Sequence, residues 1–148
     1  SGDQFGFSAV GGRLQGHIDG VIVDGPEGFA YPALWECKCL GSKSWRDLEK
    51  TRLAVAKPIY AAQVAIYQAY LELHEQPAIF TAINADTMEI YTELVPFDAA
   101  LAQRMSDRAL KVISATDAGE LLPRSFLEST HFECRMCAWQ DRCWRNTP

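Results

Sequence analysis

The stretch Ala33-Leu-Trp-Glu-Cys-Lys-Cys-Leu40 (ALWECKCL) decides how this chain is read. Eight residues of mostly buried type, closed by Gly41-Ser42, predict a strand inside a sheet. Side chains alternate across a strand, so Glu36 and Lys38 leave one face while Cys37 and Cys39 leave the other. An E-x-K tripeptide by itself is most often a surface ion pair. In so apolar a run, two charges in mid-strand are costly unless they are paired or functional.

Working outward, residues 4–10 and 14–23 read as a hairpin across Gly11-Gly12, and Gly25-Pro26-Glu27-Gly28 marks a turn. After Gly41-Ser42, helical character runs from Trp45 to Ala56. Pro58 is suited to the first position of the next helix, IYAAQVAIYQAYLELH, which ends before Pro77. AIFTAIN and MEIYTELV form a second hairpin across Ala85-Asp86-Thr87. Pro96-Phe97-Asp98 then opens a helix to about Ser114, followed by a loop through Gly119 and Pro123. The order β-β-β-α-α-β-β-α describes a mixed α/β fold.

The 148 residues suit one compact domain, and a hydrophobic fraction of 48% supplies a core. No apolar run reaches the roughly 18 to 20 residues that span a bilayer. No signal-peptide pattern opens the chain, which points to a cytoplasmic setting. The opening Ser1-Gly2 lacks a methionine, as an excised fragment would. The net charge, 14 − 19 = −5, argues against a protein that simply coats nucleic acid. Its distribution is uneven: residues 38–57 carry six Lys or Arg against two acids, and residues 58–100 carry six acids and no Lys or Arg. A short basic island suits an anionic substrate approaching a carboxylate site; a solvated helix face would have the same composition.

His17 and Asp19 alternate onto one face of the strand expected before ALWECKCL. If those strands are neighbours, His17, Asp19, Glu36 and Lys38 converge. Two carboxylates, with or without an imidazole, suit a hard divalent cation, and a lysine beside it can serve an attacking water. For His17 alone a structural role is the first reading. In the long helix, Gln63 and Tyr67 are four apart and share a face with Ile59, Tyr70 and His74; they are either core polar groups or part of the site.

Taken as a set, G-H17-I-D19-G, E36-C-K38 and Q63-x-x-x-Y67 resemble the PD-(D/E)XK nuclease superfamily, nearest to its RecB-like and Cas4-like exonucleases. The likeness covers about Gly16 to Cys143. It implies a restriction-endonuclease-like core: a central mixed sheet flanked by helices, in one domain over 1–148. It implies that Asp19 and Glu36, with the backbone carbonyl of Cys37, bind Mg²⁺ or Mn²⁺, that Lys38 serves the water, and that Gln63 and Tyr67 organise the site. The implied activity is DNA hydrolysis, as an exonuclease of recombination, repair or phage replication in a bacterial cytoplasm, on single strands or duplex ends. Relatives often carry a further metal-binding histidine on a helix well upstream, a region not seen in the 148 residues here; His17, two residues from Asp19, is at most a stand-in for it.

Cys134-x2-Cys137-x5-Cys143 has the compact spacing of a thiolate metal site. His131 could complete a Cys3His zinc site, with Phe132, Trp139 and Trp144 as a hydrophobic cap. The same ending resembles Cas4-like and AddB-like nucleases, in which three terminal cysteines and one far upstream hold an iron–sulfur (4Fe-4S) cluster. That upstream cysteine is absent, so zinc is favoured, and residues 131–148 are expected to form a structural metal-binding cap. Lys43, Arg46, Lys50 and Lys57, together with Arg52, are expected either on a solvated helix face or against phosphates. Trp45 reads first as a core residue and second as a platform for a base of single-stranded DNA. The alternatives to an exonuclease are a non-catalytic nucleic-acid-binding module with a structural zinc, and an endonuclease on the same fold.

Overall fold

The computed structural model describes residues 5–145. The first expected strand therefore begins, at Gln4, outside the described residues, as do residues 146–148 of the expected cap. The chain divides into two compact units, one up to Ile113 and the other from Ser114.

The first unit opens with a two-stranded antiparallel sheet, β1 (Gly6–Ala9) and β2 (Leu14–His17), turned at Gly11 and Gly12, both with positive φ. A four-stranded mixed sheet follows in the order β3-β4-β5-β6, comprising β3 (Gly20–Ile22), β4 (Ala33–Leu40), β5 (Ala78–Asn84) and β6 (Ile90–Val95). Strands β4 and β5 are parallel; the outer pairs are antiparallel. Parallel neighbours need a long crossover, here supplied by α1 (Ser42–Ala56) and α2 (Pro58–Tyr70).

The expected strand over 14–23 is two strands in two sheets. The ladder of β1–β2 ends at His17, paired with Gly6, and the ladder of β3–β4 starts at Gly20, paired with Trp35. Ile18 bonds back to Phe5 and is buried, while Asp19 occupies a bend. Alternation in sequence cannot reveal that the chain changes partners in mid-run.

Strand β4 turns Leu34, Glu36 and Leu40 into the core, where Leu48, Leu53, Val64 and Phe80 are fully buried. Trp45 also belongs to this core: it is buried, and its indole N–H donates to the Ala82 carbonyl at 3.2 Å. Its core reading therefore stands.

Helix α1 begins three residues earlier than its composition suggested. Asp86, in the β5–β6 turn, accepts hydrogen bonds from the Ser42 hydroxyl and from the Ser42 N–H (3.0 Å), satisfying a helix N-terminus from outside its own sequence. These two bonds hold the Asp86 carboxyl below its ordinary pKa. The helix is kinked at Arg52, whose φ is 65°. Glu93 of β6 accepts from the freed Leu53 N–H at 2.9 Å, from Arg52 Nε at 3.1 Å and from the Tyr91 hydroxyl at 2.6 Å.

Helix α2 stops at Tyr70, short of the expected His74. Glu72 has a positive φ, and the Leu71 and Leu73 N–H groups return to the Tyr67 and Gln68 carbonyls. The last long helix, α3 (Ala99–Ala118), is capped by Asp98, which accepts from the Leu101 N–H at 2.8 Å.

The second unit holds two short helices, α4 (Phe132–Arg135) and α5 (Gln140–Trp144), within the segment expected as a metal-binding cap.

Candidate active site

The expected carboxylate–lysine group lies where β3 begins beside β4. Because β3 pairs only with residues 33–35, the Cys37 edge of β4 continues past it without a backbone partner from that strand. Asp19 fills the gap: its Oδ2 accepts from the Cys37 N–H at 2.8 Å. An extended residue sends its N–H and C=O to the same edge, so the Cys37 carbonyl shares the edge that Asp19 occupies. The bend at Asp19, and not strand alternation, delivers this carboxylate.

Glu36 and Lys38 lie on one face of β4, as alternation predicts. Glu36 is 2% exposed and Lys38 21%, and the ammonium donates to Glu36 Oε1. The other oxygen, Oε2, is buried and has no hydrogen-bond partner among the described residues. Burial pushes the Glu36 carboxyl above its ordinary pKa; the Lys38 hydrogen bond and charge offset part of this, and the nearby Asp19 charge adds to the rise. Two adjacent carboxylates, one dehydrated and half-satisfied, form a local deficit of positive charge.

Helix α2 closes this side of the sheet. Gln63 Nε2 donates to the Tyr67 hydroxyl at 2.8 Å, so the two expected partners do meet, and Tyr67 is buried. Tyr67 also packs edge-on against Phe7 of β1, with ring centroids 6.0 Å apart, and Phe7 stacks on Tyr70 at 4.6 Å. The backbone of β2 passes close to this cluster: a Cβ on Gly16 would overlap Tyr67 Cε1 and lie 2.7 Å from Phe7 Cε1.

Other expected members stand apart. Ile59 does not share the inner stripe of α2; it is 73% exposed. His74 is exposed and lies against Phe97, with centroids 5.4 Å apart. His17 is exposed in β2, and among the described residues no three His, Cys, Asp or Glu side chains are grouped to hold a metal. The buried residues of α2 are instead Ala61, Val64, Ala65, Tyr67 and Gln68, and half-buried Tyr60 packs against the same core. The Tyr60 ring faces Lys38, 5.5 Å from Nζ to centroid. Its i, i+4, i+7 spacing with Val64 and Tyr67 was available in the sequence; its contact with Lys38 was not.

Lys43, Arg46 and Lys50 are exposed on one side of α1, whereas Lys57 is half-buried and donates to Ser44 Oγ at 2.9 Å across the helix junction.

In the second unit, His131 Nδ1 accepts from the Glu133 N–H at 3.3 Å, capping α4, and its ring stacks on Phe126 at 3.8 Å. The Trp139 N–H donates to Cys137 Sγ at 3.4 Å. Arg124 binds the Cys143 carbonyl through Nε (3.1 Å) and Nη2 (2.8 Å) and covers the Trp144 ring. The expected hydrophobic cap is not formed by Phe132 and Trp139, which are 72% and 66% exposed. The three cysteines and His131 are not gathered as one coordination group among the described residues.

No protein-family model matches the chain, and no curated protein matches it. Among solved structures, the chain is similar to the crystal structure of SSO0001, at 19% identity and a TM-score of 0.51 over 95% of this chain. It spans 57% of that chain's length. At this identity the likeness bears on fold alone. No helix among the described residues is long and apolar enough to cross a membrane.

Proposed function

We propose that the chain is a metal-dependent deoxyribonuclease with a restriction-endonuclease-like core, of the RecB-like and Cas4-like kind. The observation that carries this reading is the meeting of Asp19, Glu36 and Lys38 at the β3–β4 junction, with Glu36 Oε2 buried and unpartnered. A module that only binds nucleic acid has no use for paired carboxylates that repel phosphate.

The donor set fits a hard cation, since it consists of oxygens alone. Asp19, Glu36 and the Cys37 carbonyl would hold Mg²⁺ or Mn²⁺. When bound, such an ion lowers the pKa of water and offsets charge on the phosphate. Lys38 holds or moves a proton at the attacking water. As the water oxygen bonds to phosphorus, one ester P–O bond breaks; the departing deoxyribose oxygen takes up a proton, and one water is consumed. The Gln63–Tyr67 hydrogen bond fixes the wall opposite β4. Lys43, Arg46 and Lys50 supply phosphate contacts, without base specificity. The terminal thiols would serve as a structural metal segment, with zinc favoured over an iron–sulfur cluster, and the Trp139 N–H would support the Cys137 thiolate.

The test is cleavage of labelled linear and circular DNA with Mg²⁺, with Mn²⁺ and with EDTA. Activity on linear DNA alone identifies an exonuclease; activity on both identifies an endonuclease. Asp19→Ala, Glu36→Ala and Lys38→Ala should each lose about 10² to 10⁴ in rate while folding. Full cleavage by folded Lys38→Ala protein defeats the proposal.

A further inference from the structure

We infer that Tyr60 is a positioning residue for Lys38, a role that rests on the nuclease reading of the site. Among the described residues Lys38 donates one hydrogen bond, to Glu36 Oε1. In the proposed reaction Glu36 is also a cation ligand, so the contact that aims the ammonium is shared with another task. A flexible four-carbon chain then needs a second support.

Tyr60 supplies it. The ring lies 5.5 Å from Lys38 Nζ, within the range over which the π face attracts an ammonium. Unlike a carboxylate, a ring face draws the cation without competing for a metal. The ring is itself held. It stacks on Phe80, with centroids 6.4 Å apart and planes at 29°. Phe80 is fully buried and stands in register with Glu36 on the neighbouring strand. The backbone of Tyr60 is in the first turn of α2, where its N–H donates to the Lys57 carbonyl at 3.0 Å and Pro58 presets the helical φ. Strand β5, through Phe80, and the start of α2 thus fix a ring plane over the path of the Lys38 chain.

The role belongs to the ring and not to the hydroxyl, which separates Tyr60→Phe from Tyr60→Leu. The full chain, labelled with ¹³C-lysine, is observed by NMR, and the Lys38 Cε–Hε signal is assigned by its loss in Lys38→Arg. In wild type and Tyr60→Phe this signal lies upfield of the exposed lysines through the ring current; in Tyr60→Leu it joins them. In Mg²⁺-dependent cleavage, Tyr60→Leu lowers kcat about tenfold with KM within about twofold, and Tyr60→Phe restores it. Should the leucine variant unfold, Tyr60→Met takes its place. An unshifted Lys38 signal in wild type, an unchanged kcat in Tyr60→Leu, or a phenylalanine variant as slow as leucine overturns the inference. Wild-type protein that cleaves no DNA under any of these conditions overturns the nuclease reading instead, and the NMR arm still decides whether Tyr60 holds Lys38.

Discussion

Replacing Gly16 by alanine adds one methyl group at the contact between β2 and the α2 wall of the site. Ordinary contact begins at 3.4 Å, and the new Cβ would stand 2.7 Å from Phe7 Cε1 and closer still to Tyr67 Cε1. Phe7 must retreat by about 0.7 Å and Tyr67 by more, yet Phe7 is stacked on Tyr70, and Tyr67 is buried and holds Gln63. Neither ring is a free end that can swing aside. Overpacking of this kind costs about 1–3 kcal/mol. For a chain of this size that corresponds to a fall in Tm of about 3–10 °C, read by calorimetry or circular dichroism. Phe7→Leu relieves part of the clash, so a double-mutant cycle should give a coupling of at least about 0.5 kcal/mol in the relieving direction. Because Tyr67 moves, cleavage should slow beyond what the stability loss explains at a temperature where the variant is fully folded. A Gly16→Ala protein with wild-type Tm and rate would mean that the hairpin does not bear on Tyr67, and the reasoning fails.

Other outcomes can be checked independently. Burial, then the hydrogen bond and charge of Glu93, push the Tyr91 phenol up to about 12; ultraviolet titration should find one tyrosine there, moved down but not to 10 in Glu93→Gln. Since that folded-state pKa is raised, the linked stability is complete below pH 10 and is lost as pH rises through about 12; the variant should lose it less steeply. Replacing Lys43, Arg46 and Lys50 together by alanine should flatten the plot of log affinity for DNA against log salt by about 0.7–0.9 for each phosphate contact removed, and an unchanged slope removes α1 from the interface. Elemental analysis should find about one zinc per chain, lost with Tm in Cys137→Ser; brown protein with iron and sulfide would identify the cluster. Metal-free protein with free thiols and a Tm unmoved by chelators refutes the site.

What could be read from the chain followed local rules. ALWECKCL gave its strand and its faces, because apolar content and alternation are properties of neighbouring residues. Pro58 and Asp98 marked helix starts through fixed φ and side-chain capping, and Gly11-Gly12 marked a turn that needs positive φ. The Gln63–Tyr67 hydrogen bond followed from four-residue spacing on one helix. The E-x-K pair met for the equally local reason that residues two apart share a strand face.

What the tertiary structure alone decided depends on partners distant in sequence. The 14–23 run splits because its backbone leaves β1 and joins β4, so Asp19 reaches the site from a bend through the Cys37 N–H while His17 stays on the other sheet. The start of α1 depends on Asp86 and its kink on Glu93, each about 40 residues away. Tyr60 meets Lys38 because the crossover from β4 to a parallel β5 lays α2 over the strand. Periodicity says which side of an element is apolar; which other element covers it is set by packing, where burial of the whole core outweighs the preference of any one segment.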